Sequence, residues 1–208
     1  MTVLSAASDK AMDKQFIIEF FDRLAPQWDA EMRRSDEIIS IILDNAGVAA
    51  GKAVLDVACG TGVLIPDYLQ RHVASVTAID ISPRMVELAK NKFSQENVKI
   101  LCGDVEEQDF GQCFDCIVVY NAFPHFPDPE RLVARLAALL KPEGILTVAH
   151  GMSREKINSH HSGMAGKVSQ DLMCAEELAT IFARTLAVTT VLSDDRMYQV
   201  AGKNGSHG

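Results

Sequence analysis

Five short runs rich in apolar and β-branched residues alternate with stretches of helical periodicity between residues 53 and 150. They are AVLDVA (53–58), SVTAID (75–80), VKILCG (98–103), CIVVYN (116–121) and GILTVAH (144–150). Each is bounded by turn residues and is short enough for one strand. Between them, VLIPDYLQRH, PRMVELAKNKF and PERLVARLAALLK carry apolar residues at three- and four-residue spacing, the period of an amphipathic helix. Ser82 and Asp128 stand where N-caps belong, each followed by a proline at the first helical position. Repeated strand–helix units of this kind predict a mostly parallel sheet covered by helices on both faces.

The flanks read differently. Residues 1–50 form a helical N-terminal cap, with DKQFIIEFFDRLAPQWD followed by SDEIISIILDNAG, in which Gly47 stops the second helix. CAEELATIFART is a further helix, and LAVTTVL (186–192) and MYQVAG (197–202) are strands joined closely enough for a hairpin. The prediction is a doubly wound α/β fold with a seven-stranded sheet, mostly parallel, ending in an antiparallel C-terminal strand. Its main domain runs over 51–203, with 150–175 as a lid insertion and 204–208 as a disordered tail. At 208 residues one domain is expected, with room for a real core.

The formal charge of −8 disfavours the basic face that nucleic-acid backbones require, so no nucleic-acid partner is expected. No apolar run is long enough to span a membrane, and the N-terminus lacks the basic start and apolar core of a secretory signal. Five cysteines, an odd number without framework spacing, fit reduced thiols and a cytoplasmic setting. Cys113 and Cys116 make a single CxxC without the second pair that a structural zinc site needs. They read as buried or incidental thiols.

The stretch VLDVACGTGVL (54–64) is a buried strand entering a glycine-rich turn that opens a helix. Glycines there let backbone N–H groups approach a ligand at a helix N-terminus. The dinucleotide fingerprint needs a third glycine where Ile65 stands, which disfavours a nicotinamide oxidoreductase. Asp56 beside the turn would repel a pyrophosphate and welcome an amino group or a sulfonium. Asp80 ends the second strand, where an acid can bind ribose hydroxyls, and Asp104 follows the third, where it can accept from an adenine amine. Together these carboxylates suit a neutral-to-cationic nucleoside.

VLDVACGTG, VTAIDISPRMVELAK, VKILCGDVEEQDF and FDCIVVYNAFPHFPDPERLVARLAALLKPEG resemble, in order and spacing, the successive motifs of the class I S-adenosylmethionine-dependent methyltransferases. The likeness covers roughly residues 50 to 150, and FFDRLAPQWD is similar to the entry segment of the ubiquinone/menaquinone C-methyltransferase branch of that family. YNAFPHFPDP departs from the quinone-enzyme pattern. The resemblance implies a Rossmann-like fold and S-adenosylmethionine as cofactor. It implies that Asp56, Ala58, Gly60 and Gly62 surround the methionine portion of the donor, with Ala58 standing where many relatives carry glycine. Asp80 would bind the ribose, with Ile81 and Met85 on the adenine. Asp104 would bind the adenine amine, with Val105 beside the ring and Asn121 between the methionine part and the acceptor. Phe21 and Trp28 either close over the donor or belong to the core of the cap.

Three of the six histidines fall in HGMSREKINSHHSG (150–163). In open α/β sheets ligands bind beyond the carboxyl ends of the strands, so His150 and His125 belong near that rim as catalytic candidates, although the resemblance equally implies that His125, flanked by aromatics, serves to order its loop. Arg154, Asn158 and His161 share one face of a short helix beginning near Ser153, while Lys156 and His160 share another. The first face is either an acceptor lid, in which Arg154 pairs with an acidic substrate and His161 contributes chemistry, or a solvated surface. A metal site is disfavoured, because adjacent helical histidines diverge and no third ligand is spaced for one. The expected function is methyl transfer to a small-molecule acceptor. The alternative is a non-catalytic module that binds or senses the donor. The residues leave oligomeric state open, a homodimer included.

Overall fold

The computed structural model describes residues 13–160 and 168–205. Seven strands form one sheet: β1 Ala53–Val57, β2 Ser75–Asp80, β3 Val98–Cys102, β4 Phe114–Tyr120, β5 Leu140–His150, β6 Ala187–Ser193 and β7 Tyr198–Lys203. Their order is β3-β2-β1-β4-β5-β7-β6. The pairs β3–β2, β2–β1, β1–β4 and β4–β5 are parallel, and β7 runs antiparallel to both of its neighbours. The hairpin is therefore present, and its second strand rather than its first joins the parallel set.

The helices are α1 Lys14–Glu31, α2 Asp36–Asn45, α3 Ile65–Gln70, α4 Pro83–Lys92, α5 Pro129–Ala137, α6 Arg154–His160 and α7 Ala175–Phe182. The central strands of the sheet are buried on both faces. On one, Ile39 and Leu43 of α2, Tyr68 of α3 and Val86 of α4 pack on Val54, Val76 and Val118. On the other, Leu132 of α5, Ile157 of α6 and Phe182 of α7 pack on Leu55, Ile117, Leu146 and Val200. Such two-sided burial explains why the parallel strands read as nearly continuous apolar runs. The Ser82 hydroxyl accepts from the Met85 N–H at 3.2 Å, and the Asp128 carboxylate from the Arg131 N–H at 2.9 Å, which fixes the starts of α4 and α5.

Two boundaries differ from expectation. The helical pattern running to Lys141 stops at Ala137, because Lys141–Gly144 forms an irregular loop in β5 opposite Asp115. Pro142 cannot continue a helix. Asp115 anchors the loop by accepting from Lys141 Nζ and from the Ala53 N–H, each at 2.8 Å. The second difference is Asn204, placed in the tail by sequence. Its N–H donates to the Gly144 carbonyl at 2.8 Å, and its own carbonyl accepts from the Glu143 N–H at 3.1 Å. Among the described residues no helix is long and apolar enough to cross a membrane.

The strand order turns around between β1 and β4. A crevice opens there beyond the carboxyl ends of the strands, the usual ligand position in such sheets.

Candidate functional site

The crevice floor is the turn after β1. Ala58, Gly60 and Gly62 all have positive φ, at 53°, 56° and 84°. Ala58 thus holds a left-handed conformation that glycine adopts without strain. Gly62 has a second constraint: a Cβ there would lie 2.6 Å from the Phe93 ring and 2.9 Å from Ile65. Gly62 sits behind the turn, whereas Ala58 and Gly60 line the cleft.

Asp56 ends inside β1, only 2% exposed, and its Oδ2 has no hydrogen-bond partner among the described residues. Burial pushes its carboxyl up to about 8, with Asp80 and Asp67 adding to the rise and the Tyr68 hydroxyl opposing it. Asp80, at the end of β2, accepts from the Gly60 N–H at 2.8 Å and the Ser82 N–H at 2.9 Å. Burial raises its carboxyl above the ordinary range, against the pull of these donors. Each carboxylate oxygen keeps a further lone pair for a ligand hydroxyl. Asp104, after β3, accepts from the Glu106 N–H at 2.8 Å and pairs with Lys14 of α1.

Helix α1 roofs the crevice. Its Asp22 accepts from the Ser82 hydroxyl and from the Arg84 N–H, and its Asp29 from the Thr61 hydroxyl and from Lys92. Trp28 Nε1 lies 3.7 Å from where a Gly60 Cβ would be. The rings of Phe21 and Trp28 meet edge-on at 5.8 Å, and those of Phe21 and His125 at 4.9 Å. The enclosed space measures about 1190 Å³ with its open mouth, and its lining is largely apolar.

Of the residues nominated by sequence, Asp56, Ala58, Gly60, Asp80, Ile81, Met85, Asp104, Val105, Asn121, Phe21, Trp28 and His125 line this cleft. His150 and Arg154 do not. His150 is at the end of β5, yet strand alternation turns it to the α7 face, where it is 3% exposed and meets Tyr198 at 6.0 Å. The Arg154 and Asn158 face turns inward onto the protein's own backbone. Arg154 Nε donates to the Leu172 carbonyl at 2.7 Å, and Asn158 both donates to that carbonyl and accepts from the Leu172 N–H. His161 lies outside the described residues. Among those described, no group of three or more His, Cys, Asp or Glu is arranged for a metal ion.

Sequence reasoning missed Lys14, Met32, Val63, Tyr120 and Phe126, which also line the cleft. It also missed the two α1 carboxylates, whose seven-residue spacing beside Phe21 and Trp28 was the available signal. Asn121 has φ 54° and accepts from the Gly151 N–H at 2.9 Å, joining the ends of β4 and β5. Tyr120 fits beneath this junction because residue 151 is glycine; a Cβ there would collide with its hydroxyl.

Comparison with known proteins agrees with this geometry. Residues 54–144 match the family described as methyltransferase domain. The chain is 34% identical over 138 residues to malonyl-acyl-carrier-protein O-methyltransferase of Acetivibrio thermocellus, covering 65% of this chain and 49% of the relative. It is 34% identical over 148 residues to the ubiquinone biosynthesis O-methyltransferase of Coxiella burnetii, covering 67% of this chain and 62% of the relative. The chain thus spans about half to three-fifths of the length of these curated relatives. The N-methyltransferase NodS of Bradyrhizobium japonicum WM9, solved with S-adenosyl-L-homocysteine, shares the fold at a TM-score of 0.70 and 16% identity, covering 90% of this chain and 98% of NodS. With the strand order, the glycine turn and the acids at three successive strand ends, residues 54–144 thus match the methyltransferase-domain family, in a chain that is similar to O-methyltransferases and shares its fold with NodS.

Proposed function

We propose that this chain transfers the methyl group of S-adenosylmethionine to a small-molecule acceptor by in-line displacement at carbon. The observation that carries this reading is the buried, partnerless Oδ2 of Asp56 at the lip of the glycine turn. A carboxyl held near 8 by burial is suited to ionise against a cation, and the donor brings both an ammonium and a sulfonium. Gly60 and its turn face the methionine portion. Asp80 receives the ribose hydroxyls on its spare lone pairs, and Asp104 receives the adenine amine beside Val105. Ile81 and Met85 supply the apolar walls for the base, and Asn121 borders the reacting end.

The donor supplies an activated methyl group. The chain's own task is to hold acceptor, carbon and sulfur in line and to exclude water, which the roof of α1 with Phe21 and Trp28 supports. Both curated relatives are named O-methyltransferases, which favours an oxygen acceptor. Five free cysteines fit a reducing, cytoplasmic setting.

The test is binding of S-adenosylmethionine and S-adenosylhomocysteine, with NAD as control. At about 100 times its dissociation constant a ligand stabilises by ~2.7 kcal/mol, so both adenosyl ligands are expected to raise the melting temperature and NAD to leave it unchanged. Asp80→Ala is expected to weaken donor binding at least tenfold by removing charge-assisted hydrogen bonds. Absence of any adenosyl-ligand shift in stripped wild-type protein would reject the reading. Donor binding without turnover across an acceptor screen would point instead to a sensing module.

A further inference from the structure

His125 closes the short 3-10 turn Phe123–His125 that follows β4, and its ring lines the cleft beside Phe21. Its Nδ1 lies 2.8 Å from the Val168 carbonyl oxygen. A carbonyl only accepts, so Nδ1 carries the hydrogen and, in the neutral ring, the lone pair belongs to Nε2. The Val168 carbonyl is itself held in place. Val168 is 1% exposed, the Gln170 N–H donates to the Pro124 carbonyl at 2.8 Å, and Leu172 is buried in the core. Leu172 is gripped on both sides of its peptide by Arg154 and Asn158. The polar face of α6 is therefore connected to the cleft through one short segment, Val168–Leu172.

We infer that His125 is the acid–base residue of this site, that the acceptor's reacting atom carries a proton, and that Arg154 and Asn158 are positioning residues acting on His125 through Val168–Leu172. The inference rests on the methyl-transfer reading and narrows it to hydroxyl or amine acceptors. In the step, His125 Nε2 takes the proton from the acceptor X–H while a lone pair of X forms the bond to the methyl carbon. The carbon–sulfur bond breaks, and its electron pair stays on sulfur. One positive charge leaves the sulfonium and one appears on the imidazolium, so charge balances. The imidazolium returns its proton to solvent as products leave. A base of this kind contributes typically 10²–10⁴-fold. The arrangement explains a pair of side chains that face inward without reaching the cleft: they hold the hydrogen-bond acceptor that sets the tautomer of a ring that does.

The tautomer is directly readable. Uniformly 15N-histidine-labelled protein at about pH 8.5, above the ordinary histidine range, is expected to show His125 as the Nδ1–H form, its signals assigned by their loss in His125→Gln. In Arg154→Ala/Asn158→Ala the same ring is expected to become a mixture of tautomers. An Nε2–H ring in wild type, or an unchanged tautomer in the double variant, overturns the corresponding half of the proposal. For the base itself, the probes are phenol and thiophenol with labelled donor. His125→Gln is expected to lower phenol methylation about 100-fold and thiophenolate methylation less than threefold, because the latter nucleophile has already lost its proton. Equal losses overturn the acid–base role. Calorimetric binding of S-adenosylhomocysteine to the same wild-type preparation separates the outcomes: no binding rejects methyl transfer itself, whereas binding with equal losses rejects only His125.

Discussion

Asp56 couples the donor site to pH. With its carboxyl raised to about 8, the folded protein keeps a proton that the unfolded chain releases near 4. Stability is therefore expected to fall as pH rises between about 4 and 8, by at most ~1.4 kcal/mol per pH unit from this group, and to level off above. Denaturant unfolding of wild type and Asp56→Asn at pH 5 and 8 measures this; the substitution should flatten the profile. Donor binding at pH 7 should also release close to one proton, read by calorimetry in buffers of different ionisation enthalpy. Equal heats across buffers would mean that Asp56 does not ionise against the donor.

Asp56, Asp80 and Asp104 were legible as a group because each lies at or just beyond the carboxyl end of a strand, so position along the chain already states position at the crevice. His150 satisfies the same rule and still points elsewhere. Ala149 packs against Ile38 and Ile42 on the α2 face, and the next side chain must turn to the opposite face. Strand ends are visible in a sequence; which side the final residue takes depends on where pairing with Tyr198 sets the register.

At the level of elements, α1 is attached to the sheet domain mainly by polar contacts through Asp22 and Asp29, with Lys14 on Asp104 at one end. Of its residues only Ile17 and Ala25 are fully buried. Half-exposed ion pairs are weak, so the hydrogen bonds to Ser82, Arg84 and Thr61 are expected to contribute most. Asp22→Ala/Asp29→Ala should raise hydrogen exchange across α1 about tenfold while leaving β1 and β4 protected, as followed by mass spectrometry. Unchanged exchange in α1 would show that apolar packing holds the roof. Lys14 also occupies the carboxylate proposed for the adenine amine, so the donor must share Asp104 or displace the lysine.

The existence of α6 was readable from its spacing, and so was the common face of Arg154 and Asn158. Their target was not. It is a backbone peptide 14 to 18 residues further along, and a peptide group has no sequence signature. Lys14 and Asp104 illustrate the same limit across 90 residues of chain: helix and strand patterns announce themselves locally, whereas ion pairs between them depend on the finished packing.

In the molecule as a whole, the sheet has one edge at β3 and the other at β6. The β6 edge, AVTTVLS, has no charge and no proline, and Val191 is 46% exposed on it. Such an edge is a template for pairing with another chain. Val191→Lys is expected to reduce concentration-dependent association in light scattering while shifting the melting temperature by less than about 2 °C, as for an exposed site. A large loss of melting temperature would show that Val191 supports the core instead.

The place of β7 between β5 and β6 has a consequence for biosynthesis. Translation delivers β6 before β7, yet β6 has no other neighbour in the sheet. Until β7 is available, β6 has no strand to pair with and β5 has no partner on its far side. Completion of the sheet therefore waits for β7, and chaperone protection of the free side of β5 would be most valuable until it joins.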